Sequence, residues 1–227
     1  MYRHSPSSTL WPPLWEDIWH GKVNAVLANS VLASDLWYSL PYSSQYEEDT
    51  QKENSELVDF MVQNCGDLSN AKIVDAGCGK GGLLSLIHAR FPSAELYGIE
   101  QSRVALGFIQ ANRRYIKPIL FDVNNPVPLV DVDVVVSVDT IEHLEHPKTA
   151  IISILEMLAE GGTAIFTVPN GRYDSTPQHI NFWSPESWRS FMKEIKDSSA
   201  LKYDVTTSLI ADSNMPGGNR NIAIIRK

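Results

Sequence analysis

The chain has 227 residues, 43% of them hydrophobic, and a formal net charge of −8 at pH 7, which together indicate one soluble globular domain with room for an appendage. The acidic balance argues against nonspecific binding to nucleic acid, because that binding depends on basic side chains that neutralise phosphates. With only two cysteines, we expect no disulfide framework. The sequence has no apolar run as long as a membrane span and no signal-peptide pattern, so we expect no membrane span and a cytoplasmic location.

Residues 1–55 form the most aromatic part of the sequence and do not follow the pattern of the rest. Mixed helical spacing predicts helices at Leu14–His20 and Val23–Trp37. The concentrated aromatic residues are Trp11, Trp15, Trp19, Trp37, Tyr38 and Tyr42. They could pack this segment onto the core, or form a lid over a substrate pocket, since aromatic rings offer large apolar contact. We therefore expect a helical arm or lid at 1–55 and a separate domain at 56–227.

From Lys72 onward, predicted strands alternate with predicted helices. The expected strands are Lys72–Asp75, Glu95–Glu100, Ile116–Phe121, Val132–Val138, Thr163–Val168, Leu201–Ile210 and Asn221–Arg226. The expected helices are Gly81–Phe91, Ser102–Arg114, Pro147–Leu158 and Pro185–Lys196. Gly161 and Gly162 are the expected stop signal of the third helix. This alternation predicts an α/β fold with a mostly parallel sheet.

The first strand leads directly into a glycine-rich turn, Asp75–Gly82. Glycine suits such a turn because it adopts backbone angles closed to other residues and lets a ligand approach the main chain. The following helix adds its N-terminal amides. Gly77, Gly79 and Gly82 satisfy the G-x-G-x-x-G dinucleotide pattern, and Glu100 lies near the distance expected of a ribose-binding acid. On these residues alone, the interpretation that the chain is a nicotinamide-binding oxidoreductase stays open.

The segment Asp75–Gly81 also has the spacing D-x-G-x-G-x-G and resembles motif I of the class I S-adenosylmethionine-dependent methyltransferases. The resemblance covers roughly residues 56–227. It implies a Rossmann-like sheet of seven strands, mostly parallel with an antiparallel last strand, and helices on both faces. It also implies S-adenosylmethionine as cofactor, with the expected binding residues Asp75, Gly77, Cys78, Gly79, Gly81, Glu100, Gln101, Asp122, Val123 and Val138.

Three acids have individual roles under this resemblance. Asp75 is expected to take the ammonium group of the cofactor. Glu100 is expected to accept both ribose hydroxyls, because a carboxylate forms strong charge-assisted bonds there. Asp122 is expected to accept from the adenine amino group, with Asn124 and Asn125 as close rivals.

The fourth strand is followed by Asp139-Thr140-Ile141-Glu142-His143-Leu144. This run resembles the "EHL" segment of a methyltransferase branch that includes ubiquinone-pathway O-methyltransferases and small-RNA 3′-end ribose methyltransferases. Similar members use two acids and two histidines as ligands of a divalent metal. The matching positions here are Asp139, Glu142, His143 and His179, with the shorter Asp139 where metal-binding members commonly have Glu.

A divalent metal such as Mg²⁺ would suit these mixed donors and would activate a hydroxyl as a nucleophile. Without a metal, Glu142 and His143 are the expected catalytic residues. His143 is then the expected general base, because the unperturbed pKa of histidine lies near neutrality. Both interpretations stay open at this stage.

The resemblance implies transfer of a methyl group to a hydroxyl, or to an amine, of a small molecule, by a monomer or a homodimer. Three alternatives remain. The first, a metal-dependent RNA 3′-end ribose 2′-O-methyltransferase, is weakened by the acidic balance. The second, an NAD-binding oxidoreductase, would need a further catalytic domain for which this chain has no room. The third is a non-catalytic cofactor-binding subunit.

Overall fold

The computed structural model describes residues 29–40, 43, 51–123, 125, 129–198, 203–211 and 219–227. Within these residues, one sheet contains the strands β1 Lys72–Ala76, β2 Glu95–Glu100, β3 Ile116–Leu120, β4 Val132–Val138, β5 Leu158–Pro169, β6 Asp204–Ala211 and β7 Asn219–Arg226. Their order across the sheet is β3-β2-β1-β4-β5-β7-β6. Strands β1 to β5 pair in parallel, whereas β7 is antiparallel to both β5 and β6. The predicted seven-stranded sheet with an antiparallel last strand is confirmed.

Strand β5 begins earlier than the sequence pattern predicts. The preceding helix ends at Glu156 and β5 starts at Leu158, so the strand runs through Gly161 and Gly162. Gly161 has φ of +79°, and a Cβ on Gly162 would lie 2.9 Å from the carbonyl oxygen of Val132. The β4–β5 ladder shifts register beside these glycines. The two glycines thus serve an irregular stretch of a strand, and the prediction that they end a helix was wrong.

The helices cover both faces of the sheet. They are α1 Val31–Ser39, α2 Gln51–Cys65, α3 Gly82–Arg90, α4 Arg103–Asn112, α5 Pro147–Glu156 and α6 Pro185–Ser198, with a short 3₁₀ helix at Ile141–His143. Alternate residues of a strand point to opposite faces, and β1 shows the result. Ile73 packs in the apolar cluster that includes residues of α2, α3 and α4, whereas Val74 packs in the cluster that includes residues of α5 and α6. The predicted two-sided arrangement is confirmed.

Helix α1 lies within the predicted arm, and helix α2 runs across the predicted boundary between residues 55 and 56. Helix α1 begins after Ser30, whose hydroxyl accepts from the amide of Ala33, and it packs against α4. The sequence places the end of this helix at Trp37, whereas the structure extends it to Ser39. The predicted helix Leu14–His20 and the aromatic residues before Trp37 lie outside the described residues, so the division into arm and domain stays a prediction. Among the described residues, no helix has the length and apolar character needed to cross a membrane.

Candidate active site

The glycine loop begins at the edge of the sheet where the carboxyl ends of the first four strands meet, which is where ligands bind in open α/β sheets. Gly77 and Gly79 have φ of +90° and +53°, angles that other residues rarely adopt. A Cβ on Gly77 would lie 2.2 Å from Oγ1 of Thr140, and one on Gly79 would lie 2.8 Å from the hydroxyl of Tyr38. The loop is therefore enclosed between the segment after β4 and helix α1, and both the backbone angles and the limited space favour glycine at these positions.

Glu100 closes this loop from the end of β2. Its side chain is buried, with the residue only 7% exposed, and accepts three backbone amides: from Gly79 at 3.0 Å, from Gln101 at 2.8 Å and from Ser102 at 2.9 Å. Burial raises the pKa of Glu100, while these three bonds act to lower it. A carboxylate offers about four lone-pair positions, so roughly one remains for a ligand. The predicted pair of ribose bonds would need one backbone bond to give way.

Asp75 lies at the end of β1 and is almost fully buried. Its Oδ1 atom has no hydrogen-bond partner among the described residues. Burial first, and the charge of Glu100 second, raise the pKa of Asp75 to about 7. A cation placed beside this carboxyl group would favour its ionised form. This chemistry fits the predicted role of holding an ammonium group.

The other predicted cofactor residues share the same edge of the sheet. Cys78 is buried, and burial raises the pKa of its thiol well above the ordinary value, so it stays protonated. Asp122 is half-buried and Val123 buried in the segment after β3, and Val138 ends β4 half-buried. Asn124, one rival of Asp122, lies outside the described residues, while the amide of Asn125 donates to the Asp122 carbonyl.

Helix α1 and the residue before its cap are hydrogen-bonded to this edge. Nε2 of Gln101 donates to the Asn29 carbonyl at 3.1 Å and to Oγ of Ser34 at 2.9 Å. The hydroxyl of Ser102 donates to Oδ1 of Asp35 at 2.6 Å. The arm is thereby hydrogen-bonded to the residues that directly follow Glu100.

We call Asp75, Gly77–Gly81 and Glu100 the glycine-loop site.

Glu142, His143 and His179 form a second cluster, which we call the Glu-His-His group. One potential ligand atom of each residue lies within 4.8 Å of those of the other two. The two imidazole rings meet edge to face, with centroids 4.6 Å apart. Glu142 is 1% exposed, and neither carboxylate oxygen has a hydrogen-bond partner among the described residues. Burial, followed by the charge of Asp139, raises the pKa of Glu142 well above its ordinary value.

Each histidine of this group is held through its Nδ1 atom. Nδ1 of His143 lies 3.0 Å from Oδ1 of Asn29, and Nδ1 of His179 lies 2.5 Å from Oδ2 of Asp174. The opposite nitrogen of His179, Nε2, lies 3.9 Å from Oε1 of Glu142. Desolvation first, and the neighbouring His179 second, lower the pKa of His143 to about 3. This lowered pKa makes His143 a weaker base than an ordinary histidine, and its role as general base stays a prediction.

Asp139 is engaged elsewhere and lies outside the Glu-His-His group. It has φ of +47°. Its Oδ2 atom pairs with the guanidinium of Arg220 at 2.9 Å, and its Oδ1 atom accepts from Thr167 at 3.1 Å. Arg220 also pairs with Glu53 of α2 at 2.6 Å. Of the four predicted metal ligands, the structure brings three together and directs the fourth to an arginine.

A family model described as a methyltransferase domain matches residues 46–195, which is more than half of the chain. The chain belongs to the class I S-adenosylmethionine-dependent methyltransferases. The matched residues include the glycine-loop site and the Glu-His-His group, so both clusters lie in the methyltransferase domain.

Two curated relatives of this chain are named for different small-molecule reactions. A ubiquinone biosynthesis O-methyltransferase from Alkalilimnicola ehrlichii is 31% identical over 127 residues, which cover 52% of this chain and 49% of that protein. A trans-aconitate 2-methyltransferase from Acidovorax sp. is 23% identical over 134 residues, which cover 59% of this chain and 52% of the relative. The chain thus spans about half the length of these relatives.

Solved methyltransferases share the fold. The plantazolicin methyltransferase BpumL, in complex with a triazolic desmethylPZN analog and SAH, is 17% identical and superposes with a TM-score of 0.66, covering 93% of this chain and 98% of that one. A dinucleotide-binding sheet has the order 3-2-1-4-5-6, whereas here β7 lies between β5 and β6. The family and the strand order together argue against the alternative that this chain is an NAD-binding oxidoreductase.

The sequence pattern misses the partners that hold this methyltransferase's site together. Asn29 contacts His143 from 114 positions away, and no motif marks it. Arg220 follows the start of β7 without any local pattern. Asp174 is the exception, because an acid five positions before His179 on the same loop is a visible signal.

Proposed function

We propose that this methyltransferase transfers a methyl group from S-adenosylmethionine to a hydroxyl of a small molecule, with a divalent cation such as Mg²⁺ held by Glu142, His143 and His179. The observation that carries the proposal is the carboxylate of Glu142, which is 1% exposed and unpartnered among the described residues. Burying an unpaired carboxylate costs several kcal/mol. A positive ion between this carboxylate and two imidazoles would remove most of that cost.

The donor set fits such an ion. A carboxylate and two histidines suit several divalent metals. In metal sites the second ring nitrogen of a ligand histidine usually donates to an outer partner, and here Nδ1 of each ring faces an oxygen of Asn29 or Asp174. The cation would supply Lewis acidity that lowers the pKa of an acceptor hydroxyl. This need favours a hydroxyl over an amine, which is a good nucleophile without such help.

The glycine-loop site supports S-adenosylmethionine as the methyl donor. Asp75 would pair with the ammonium of its amino-acid part, because its carboxyl group is buried with one oxygen unpartnered among the described residues. Glu100 would accept a ribose hydroxyl at the lone pair that its backbone bonds leave. The glycine loop would let the cofactor lie against the main chain.

The reaction is a single displacement. The bond from the sulfonium sulfur to its methyl carbon breaks as the acceptor oxygen bonds to that carbon, giving S-adenosylhomocysteine, a methyl ether and a proton. The chain's main contribution is alignment of the two reactants, which can be worth roughly 7–11 kcal/mol. The glycine loop follows the carboxyl end of β1, and Glu142 and His143 follow that of the neighbouring strand β4, so the ligands of the two clusters would meet at one edge of the sheet.

The names of the relatives support a small-molecule acceptor, since they specify ubiquinone biosynthesis and trans-aconitate. The net charge of −8 disfavours RNA, whose binding rests largely on phosphate neutralisation. We therefore favour an acceptor of small size that carries a hydroxyl group.

The proposal is tested by calorimetry and turnover on the full chain. Chelator-treated protein should bind S-adenosylhomocysteine and, separately, Mn²⁺ or Mg²⁺. A panel of small hydroxylated aromatic and aliphatic compounds should yield S-adenosylhomocysteine from S-adenosylmethionine only when metal is present. His179→Ala should lower the metal affinity by about 100-fold or more, because losing a ligand costs more than losing a residue that only supports a ligand, which costs about 10- to 100-fold. The same substitution should leave S-adenosylhomocysteine binding unchanged.

His146→Ala is the matched control, because His146 is exposed and its side chain makes no capping bond at the start of α5. This variant should keep both affinities. Full activity after chelation would overturn the metal role. Failure to bind S-adenosylhomocysteine at all would overturn the assignment of the donor.

A further inference from the structure

The side chain of Asn29 bridges two segments of the Glu-His-His group. Its Nδ2 atom donates to the backbone carbonyl of Gln178 at 2.8 Å, next to His179. Its Oδ1 atom lies 3.0 Å from Nδ1 of His143. Asn29 precedes the cap residue of α1, so this amide connects the arm to the Glu-His-His group.

The bonding partners fix the proton on His143. A backbone carbonyl only accepts hydrogen bonds, so the amide atom of Asn29 that faces Gln178 must be the NH₂ group. The atom that faces His143 is then the amide oxygen, which also only accepts. Nδ1 of His143 must therefore carry the proton. In a neutral imidazole this leaves Nε2 without one.

We propose that Asn29 is a positioning residue that holds His143 in the Nδ1-protonated tautomer and keeps its Nε2 lone pair available. Asp174 performs the same task for His179 through its own bond to Nδ1. With both rings held in this way, two unprotonated nitrogens are available beside the carboxylate of Glu142. The proposal rests on the proposed function for what Nε2 would bind, whereas the tautomer is a property of the metal-free protein, in which Asn29 provides the hydrogen-bond acceptor at Nδ1.

Asn29 also connects the two clusters through its main chain. Its backbone carbonyl accepts from Nε2 of Gln101 at 3.1 Å, and Gln101 follows Glu100 directly. A substitution of the Asn29 side chain leaves this backbone bond possible. The affinity for S-adenosylhomocysteine should therefore survive, and it serves as a measure that each variant is folded.

The test is nitrogen NMR of the full chain labelled with ¹⁵N-histidine and kept free of metal. His143→Gln identifies the ring signals of His143 by their loss. In the unsubstituted protein, Nε2 of His143 should have the shift of an unprotonated nitrogen. In Asn29→Ala this preference should be lost, with the proton moving to Nε2 in a substantial fraction of molecules. Asn29→Asp retains an oxygen acceptor and should restore the original tautomer.

The affinity for Mn²⁺ should fall by about 10- to 100-fold in Asn29→Ala, as expected when an outer partner of a ligand histidine is removed. Asn112→Ala is the matched control, because Asn112 is exposed on α4 and its side-chain amide donates to the Phe108 carbonyl of the same helix. It should change neither the tautomer nor the metal affinity.

The proposal would be overturned if Asn29→Ala still binds S-adenosylhomocysteine and keeps the original tautomer of His143. It would also be overturned if Asn29→Asp fails to restore that tautomer. These readings need no metal and no turnover. Absence of metal binding in the unsubstituted protein would overturn the proposed metal role, while the tautomer would still decide the role of Asn29.

Discussion

Glu100 and Glu142 occupy comparable places and are satisfied in opposite ways. Glu100 ends the parallel strand β2 and Glu142 follows the parallel strand β4, and each is buried, at 7% and 1% exposure. Glu100 accepts three backbone amides, whereas the oxygens of Glu142 accept none from the described residues. Protein groups therefore satisfy most of the bonding capacity of Glu100, whereas the carboxyl group of Glu142 is left for a ligand to satisfy under the proposed function. Sites that leave a buried polar group unsatisfied in this way give up stability for function.

The sharpest test of this comparison replaces each glutamate by leucine in chelator-treated protein. Glu100→Leu should lower the free energy of unfolding by about 3 kcal/mol or more, because three buried amides lose their acceptor at about 1–3 kcal/mol each. Glu142→Leu should raise it by about 1–3 kcal/mol, because an unpartnered buried carboxyl group is removed. Urea unfolding monitored by circular dichroism measures both values.

The two substitutions serve as controls for each other, since the residue types and their burial are matched. Equal destabilisation by both would show that Glu142 has a bonding partner after all, and the contrast between the two sites would be lost. Added Mn²⁺ should stabilise the unsubstituted protein and should leave Glu142→Leu unaffected.

Asp75 provides a second test, because it is the acid of the glycine-loop site that lacks a partner for one of its oxygens among the described residues. Its pKa of about 7 lies above the ordinary value of 3.8. The unfolded chain loses this proton near pH 4, whereas the folded protein keeps it until about pH 7. The free energy of unfolding should therefore fall by a few kcal/mol as the pH rises between these values. Thermal unfolding across this range measures the decline.

The affinity for S-adenosylhomocysteine should change with pH in the opposite direction to the free energy of unfolding. The ligand's ammonium favours ionised Asp75, so binding below about pH 7 must release a proton. The affinity should rise with pH by up to about tenfold per unit and level off above about pH 7. Calorimetry in buffers of different ionisation enthalpy detects the released proton. Asp75→Asn should flatten the profile, and Asp197→Asn, at an exposed ion pair, should not.

The smallest expected effect concerns the contact between the arm and the glycine-loop site. Asp35 of α1 accepts from the Ser102 hydroxyl at 2.6 Å and from the Val104 amide at 3.3 Å. Asp35→Ala should weaken S-adenosylhomocysteine binding by about fivefold, corresponding to roughly 1 kcal/mol for these bonds. Ser39→Ala removes a bond within the same helix, to the Leu36 carbonyl, and should leave the affinity unchanged. An unaltered affinity in Asp35→Ala would mean that α1 does not support the site.

The sequence predicts those features that local pattern determines. The strand ends that carry Asp75, Glu100 and Glu142 follow from short apolar runs and the glycine turn, so the edge of the sheet could be located in advance. The partners of these residues could not be predicted, because they come from distant segments: Asn29 reaches His143, and Arg220 reaches Asp139. Burial is also not set by a local pattern, which is why the lowered pKa of His143 could not be predicted from the sequence.

The same limit explains the error at Gly161 and Gly162. A glycine pair after an apolar periodic segment is a common helix stop, and nothing local distinguishes it from an irregular stretch in a strand. The distinction depends on the Val132 carbonyl, 2.9 Å from where a Cβ on Gly162 would lie. Only the pairing of β4 with β5 brings that atom there.

The position of β7 has a consequence for how the protein is made. Synthesis produces β6 before β7, yet β7 lies between β5 and β6 in the sheet. Strand β6 thus leaves the ribosome with no strand to pair with, and the β5 edge stays open until β7 emerges. Open strand edges are sites of aggregation during folding. The residues of the glycine-loop site and the Glu-His-His group are therefore all synthesised before the strand that closes the β5 edge.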